Sequence, residues 1–156
     1  MPIAALAEMA RTATSTSSTR GYASAIHFAG RFCAAQCTVA ISNFVTFLEN
    51  TQSYRRDLRR VEYGDERDPV QRAKLIEISP MTRIREIKVP LFVVTGGNDP
   101  RVPASEATQV VSAVRANGGE VWHMIAADEG HGYRKKANRD YNFWVAVLFW
   151  QKYLLH

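Results

Sequence analysis

Residues 89–95 read Val-Pro-Leu-Phe-Val-Val-Thr and end abruptly at Gly96 and Gly97. A strand wetted on one face alternates apolar and polar residues. A continuous apolar run of this length, β-branched in part, suits a strand buried on both faces of a parallel sheet. Parallel neighbours need a crossover connection, and the following residues supply one. Across 103–117, Ala107, Val110, Val111 and Val114 recur at helical spacing, and Asn117, Gly118 and Gly119 then stop the helix. Residues 121–126, Val-Trp-His-Met-Ile-Ala, predict the next strand, and residues 138–155 predict a closing helix whose Trp144, Phe149 and Trp150 point to a core. The order strand, helix, strand, helix defines an α/β class with a mostly parallel sheet and a right-handed crossover.

The first half carries weaker signals. Residues 22–35 space Ala25, Ile26, Phe28, Ala29, Phe32 and Cys33 as a buried helix, and residues 37–41 predict a short strand. Asn43 or Thr46 is available to cap a helix entered through residues 42–48. Residues 54–63 place Tyr54, Leu58 and Val61 on one side and Arg55, Arg56, Arg59 and Arg60 on the other, predicting an exposed amphipathic helix. Interleaved Asp57, Glu62, Asp65 and Glu66 favour a solvated, ion-paired face over a nucleic-acid surface. Asp68 before Pro69 marks another helix start, over residues 70–78. Residues 9–20 form a Thr/Ser/Ala/Arg tract with neither strand alternation nor a helical stripe, so 1–21 is expected to be poorly ordered and 22–156 to be the folded domain.

Composition narrows the class. The net charge of +5 permits weak attraction to polyanions without requiring it. No run approaches the ~18 apolar residues of a membrane span. Residues 2–10 lack the basic start and uninterrupted apolar centre of a secretory signal, which points to a cytoplasmic location. Cys33 and Cys37 lack further soft ligands nearby, so no metal and no cofactor is expected and both read as buried free thiols.

Ligands of open parallel sheets bind beyond the carboxyl ends of the strands. Two loops leave such ends here: Gly-Gly-Asn-Asp-Pro-Arg-Val-Pro at 96–103 and Ala-Asp-Glu-Gly-His-Gly at 127–132. Each delivers one titratable residue among turn formers, Asp99 and His131. Neighbouring strands lie ~4.8 Å apart, so these two can meet as the carboxylate–imidazole half of a nucleophilic triad. Arg101 is read as orienting the acid loop. His27, His123 and His156 are read as structural or solvated.

These two loops, together with Ile-Ser-Asn-Phe-Val-Thr-Phe-Leu-Glu-Asn at 41–50, Tyr-Arg-Arg-Asp-Leu-Arg-Arg at 54–60 and Glu-Tyr-Gly-Asp-Glu-Arg-Asp-Pro at 62–69, resemble the carboxy-terminal part of the catalytic domain of prolyl oligopeptidase family serine peptidases. The resemblance covers roughly residues 22–155. It implies a partial α/β-hydrolase fold, a three-layer arrangement of mostly parallel sheet and flanking helices lacking its amino-terminal strands. It also implies Asp99 as triad acid, His131 as triad base, and a peptide substrate cleaved through an acyl-enzyme. One departure stands out. The Gly-x-Ser-x-Gly elbow that presents the nucleophile is absent, and the place it would occupy holds Ser15, Ser17 and Ser18 without the required glycines. The expectation is therefore a serine-type peptidase domain lacking its elbow, with a catalytically inactive fragment or a non-catalytic interaction module as the alternative. Residues 1–21 then read as non-native sequence from a truncated or misframed gene. Loss of the preceding strands would leave the strand at 37–41 with an open edge available for self-association.

Overall fold

The computed structural model of the protein describes the backbone of residues 12–15 and all of residues 19–155. Four strands, β1 (Thr12–Ser15), β2 (Ala34–Thr38), β3 (Leu91–Gly96) and β4 (Val121–Ala126), form one sheet in the order β1-β2-β3-β4. All three pairings are parallel. Helix α1 (Arg20–His27) joins β1 to β2. Helices α2 (Phe44–Asn50), α3 (Ser53–Tyr63) and α4 (Pro69–Ile78) and a 3-10 segment, Pro80–Glu86, join β2 to β3. Helix α5 (Ala104–Ala116) joins β3 to β4, and α6 (Lys136–Leu154) closes the chain.

Strand alternation sorts the core into two faces. Ala35, Cys37, Leu91, Val93 and Val121 turn to one side, where Tyr22, Ala25 and Ile26 of α1 and Val110, Val111 and Val114 of α5 cover them. Ala34, Phe92 and Val94 turn to the other, beneath Phe149 of α6 with Trp122, Met124 and Tyr133 around it. The result is three layers, helix on sheet on helix, as the α/β-hydrolase resemblance implies. A satellite cluster of Ile41, Phe44, Phe47, Leu48, Leu75 and Val102 joins α2 and α4 to the acid loop.

Several boundaries differ from the sequence reading. The helix predicted over 22–35 ends at His27, and a 3-10 turn, Ala29–Arg31, leads into β2, which starts at Ala34 rather than Cys37. The small residues Ala34 and Ala35 carry little strand propensity of their own. Pairing with β3, Ala35 opposite Leu91 and Cys37 opposite Val93, fixes them as strand. Thr12–Ser15, within the tract read as patternless, forms β1 alongside Ala34–Cys37. The edge of β2 expected to be open is therefore paired on both sides, and the sheet's outer strands are β1 and β4. The rest of the amino-terminal tract, residues 1–11 and 16–18, lies outside the described residues, as does His156.

Helix α3 reverses the expected orientation. Tyr54, Leu58 and Val61 face solvent at 71%, 61% and 88% exposure, and the arginine side is turned inward. The cause is a buried acid. The turn after α3 tucks the carboxylate of Glu66 beneath the helix, where Arg60 grips both its oxygens, Nε to Oε2 at 3.0 Å. Arg60 also pairs with Asp57, and Arg59 with Glu62, the local ion pairs expected of this helix, with both acids reaching solvent. In α6, Phe149 is buried and Trp150 packs beside it, but Trp144 is 63% exposed. A helix apolar all round can press only one face on the sheet.

Candidate functional site

Two strand ends build the site. β3 runs into Gly96 and Gly97, β4 into residues 127–132, and the two loops are laced together by backbone bonds. Gly97 N–H donates to the Ala126 carbonyl at 2.8 Å, and Asn98 N–H to the Glu129 carbonyl at 2.9 Å. The Asn98 side-chain amide donates to the Ala127 carbonyl at 2.8 Å. Tyr133, two residues past the histidine, donates its hydroxyl to the Thr95 carbonyl at 2.9 Å, and burial pushes its pKa up to about 12. It stays a neutral donor. Gly132 turns the chain at φ +95°, a conformation that costs little only for glycine.

Within this frame Asp99 and His131 meet. His131 Nδ1 lies 2.8 Å from Asp99 Oδ2. The other carboxylate oxygen, Oδ1, accepts the backbone N–H groups of Arg101 at 2.8 Å and Val102 at 3.1 Å. The Asp99 side chain is fully shielded from solvent, while 28% of the His131 side chain remains accessible. A carboxylate so engaged only accepts, so the imidazole proton sits on Nδ1 and the lone pair of Nε2 is free for a proton. Arg101, read as orienting the acid loop, meets that loop through its backbone rather than its side chain. Its N–H holds Asp99, and its carbonyl accepts the Thr51 hydroxyl at 2.9 Å.

The remaining histidines stay away from this pair. His27 lies exposed beside Arg83. His123 is inside β4 with no partner for Nε2 among the described residues, and burial lowers its pKa. Cys37 is buried, and burial raises its thiol pKa. Cys33 is partly exposed, and both thiols are free. Among the described residues no three His, Cys, Asp or Glu side chains converge as a metal site.

Sequence reasoning missed the supports of the site. Glu129 is 4% exposed. It accepts the N–H groups of Arg134 at 3.0 Å and Lys135 at 2.8 Å, closing the histidine loop onto the start of α6. Its position two residues before His131 was the available signal. Also missed was buried Glu106, which accepts from Ser42 N–H, Ser42 Oγ, Asn43 N–H and Thr46 Oγ1 at 2.6–3.0 Å and so fixes the entry to α2 against α5. It lies four residues before Val110, on the apolar stripe of α5, which is where a buried acid would have shown itself.

Two cavities flank His131. One, of about 180 Å³, has mixed walls, apolar from Val39, Ile41, Phe47 and Val102 and polar from Arg59, Tyr63 and Arg101. Val39 sits there at φ 47°, a strained backbone for a β-branched residue, at the exit from β2. The other, of about 420 Å³, is polar and rimmed by Tyr54, Arg55, Arg101, His131 and Arg134.

The sequence profile of the prolyl oligopeptidase family matches residues 14–156. The chain belongs to the prolyl oligopeptidase family. The match begins eight residues earlier than the resemblance read from the sequence, and it takes in the end of β1 and the start of α1. A dipeptidyl aminopeptidase BIII of Pseudoxanthomonas mexicana is 41% identical over 75 residues, 48% of this chain and 11% of that protein. Dipeptidyl peptidase family member 6 of Caenorhabditis elegans is 32% identical over 104 residues, 64% of this chain and 14% of that protein. The chain thus spans a small part of the length of these curated relatives. Among solved structures, an acylaminoacyl peptidase of Pyrococcus horikoshii superposes with a TM-score of 0.76 at 19% identity, covering 88% of this chain and 23% of that one. A puromycin-hydrolyzing peptidase of Mycobacterium tuberculosis gives 0.72 at 22% identity, covering 80% and 19%. At these identities the structural likeness speaks for the fold alone. Of the prolyl oligopeptidase family pattern, the Gly-x-Ser-x-Gly string is absent from this sequence.

Proposed function

We propose that this chain carries the acid and base of a serine-peptidase centre and acts in the hydrolysis of peptide bonds through an acyl-enzyme. The observation that carries the proposal is the 2.8 Å contact between Asp99 and His131 at the carboxyl edge of adjacent parallel strands. Asp99 holds the Nδ1–H tautomer and balances the imidazolium formed when Nε2 takes a proton from a serine hydroxyl. That hydroxyl attacks the peptide carbonyl. His131 then returns the proton to the departing amine, and a water molecule repeats the sequence in reverse. The missing glycines bear on the hydroxyl and on the oxyanion site, because the elbow both exposes the serine and supplies a backbone N–H to the oxyanion; they leave the Asp99–His131 pair in place.

A fluorophosphonate probe tests the proposal, since it reacts only with a serine activated by a base. Labelling at Ser15, Ser17 or Ser18 that disappears in His131→Gln supports the peptidase reading. Absence of labelling in the intact, folded chain favours the catalytically inactive alternative. Labelling unaffected by His131→Gln would show that the imidazole is not the base.

A further inference from the structure

We infer that the 420 Å³ cavity beside His131 binds a carboxylate of the substrate, held by Arg55, Arg101 and Arg134. The inference rests on the peptidase reading only in calling the ligand a substrate. Its physical basis is separate. Three arginines line this one cavity, and no acidic residue is among its lining residues. Several other arginines are matched to acids: Arg60 to Glu66, Arg67 to Asp65, Arg72 to Glu49 and Arg83 to Glu86. The side chains of Arg55, Arg101 and Arg134 make no ion pair with any described residue. Arg55 is held over the ring of Tyr54, 5.9 Å from its centroid, and its Nε is shielded from solvent with no acceptor among the described residues. A desolvated donor without a partner is costly, and an arriving anion would remove that cost.

The inward turn of α3 creates this arrangement. It aims Arg55 toward the histidine loop, while the Gln52 N–H and the Thr51 hydroxyl fasten the preceding turn to the Pro100 and Arg101 carbonyls. Arg134 arrives from the opposite side, its backbone fixed by Glu129. Planar guanidinium forks match the two oxygens of a carboxylate, and converging charges favour an anion over a neutral carbonyl. The single cavity beside His131 suits a short peptide carrying one negative group. The carboxylate could belong to the free carboxyl terminus of the peptide or to an acidic side chain.

The experiment compares three probes on the intact chain at low ionic strength. They are acetyl-trialanine with a free carboxyl end, its carboxamide, and acetyl-Ala-Glu-Ala-amide, with binding read from the imidazole resonances of His131. The expected result is that a carboxylate-bearing probe binds roughly tenfold more tightly than the carboxamide. Added salt and the variants Arg55→Gln and Arg134→Gln should erase that preference, and the exposed control Arg85→Gln should retain it. Preference for the free acid alone assigns a terminal carboxylate, and preference for the Glu peptide a side-chain carboxylate. Equal binding of acid and amide, no binding of either carboxylate probe, or identical behaviour of Arg134→Gln and Arg85→Gln would overturn the inference. Fluorophosphonate labelling separates the two readings. Labelled serine without carboxylate preference removes only the subsite, whereas carboxylate preference without labelling removes only the peptidase chemistry.

Discussion

Gly96 occupies a position where the acid and histidine loops pass backbone against backbone. A Cβ at that residue would lie 2.0 Å from the Gly130 carbonyl oxygen and 2.5 Å from that of Glu129. These are immovable peptide atoms rather than flexible side-chain ends, so the loops must separate to accept even a methyl group. Gly96→Ala is therefore expected to cost about 1–3 kcal/mol in urea denaturation. It should also abolish the Nδ1 proton resonance that reports the His131–Asp99 bond. Retention of both would show that the loops are not held by this close approach. Asp99 and His131 were legible in the sequence because each follows a strand and stands among turn formers. Gly96 read only as the end of a strand, since the need for glycine there arises from a segment more than thirty residues away.

At the scale of elements, buried acids fasten loops to helices. Glu106 accepts from two backbone N–H groups and two hydroxyls between α2 and α5. Glu106→Gln keeps one acceptor oxygen for Ser42 and Asn43, and its NH₂ can donate to the Thr46 hydroxyl. Glu106→Ala leaves both N–H groups buried without partners. The alanine variant should lose on the order of 3 kcal/mol in thermal or urea unfolding. The glutamine variant should lose clearly less, and the reverse order would refute this account of the network. The start of α6 is similarly fastened. Hydrogen bonding by the Arg134 backbone N–H holds the Glu129 carboxyl below its ordinary range, and the Lys135 ammonium does the same for Asp128. The Arg60 guanidinium depresses Glu66 in the same way at the end of α3. Each folded-state pKa lies below its unfolded value, so the stabilisation is complete above the ordinary carboxylate range and is lost as pH falls through the lowered values. Melting temperature should thus decline below about pH 4, and the decline should be shallower in Glu129→Gln. A flat profile in the unaltered chain would refute the linkage. Helix α3 was legible as a helix and misread in orientation, because an amphipathic pattern names two faces without saying which one a buried partner such as Glu66 will claim.

For the whole molecule, two helices leave apolar side chains on the surface. Tyr141, Phe143, Trp144 and Leu148 on α6 are 56–64% exposed, and Tyr54, Leu58 and Val61 form a second apolar surface on α3. Apolar surfaces of this kind favour association in isolation. Sedimentation velocity should show an average mass that rises with concentration, and Trp144→Lys together with Leu148→Lys should suppress that rise. A monomer at all concentrations would contradict the expectation. Among the described residues no helix is long and apolar enough to cross a membrane, so these surfaces are not parts of a spanning helix.

Alone, the sequence determined the strand–helix order of the second half, the capping of α4 by Asp68, two candidates for the α2 cap of which Asn43 is the one used, and the two residues that meet at the sheet edge. Those features follow from local chemistry: apolar runs, helical spacing, and side chains that bond backbone groups two or three residues away. Tertiary structure decided the strand at Thr12–Ser15, the inward arginines of α3, the exposure of Trp144 and the cavity beside His131. Each depends on what lies across from a segment in space, and the energy of a paired edge or a buried ion pair belongs to both partners at once.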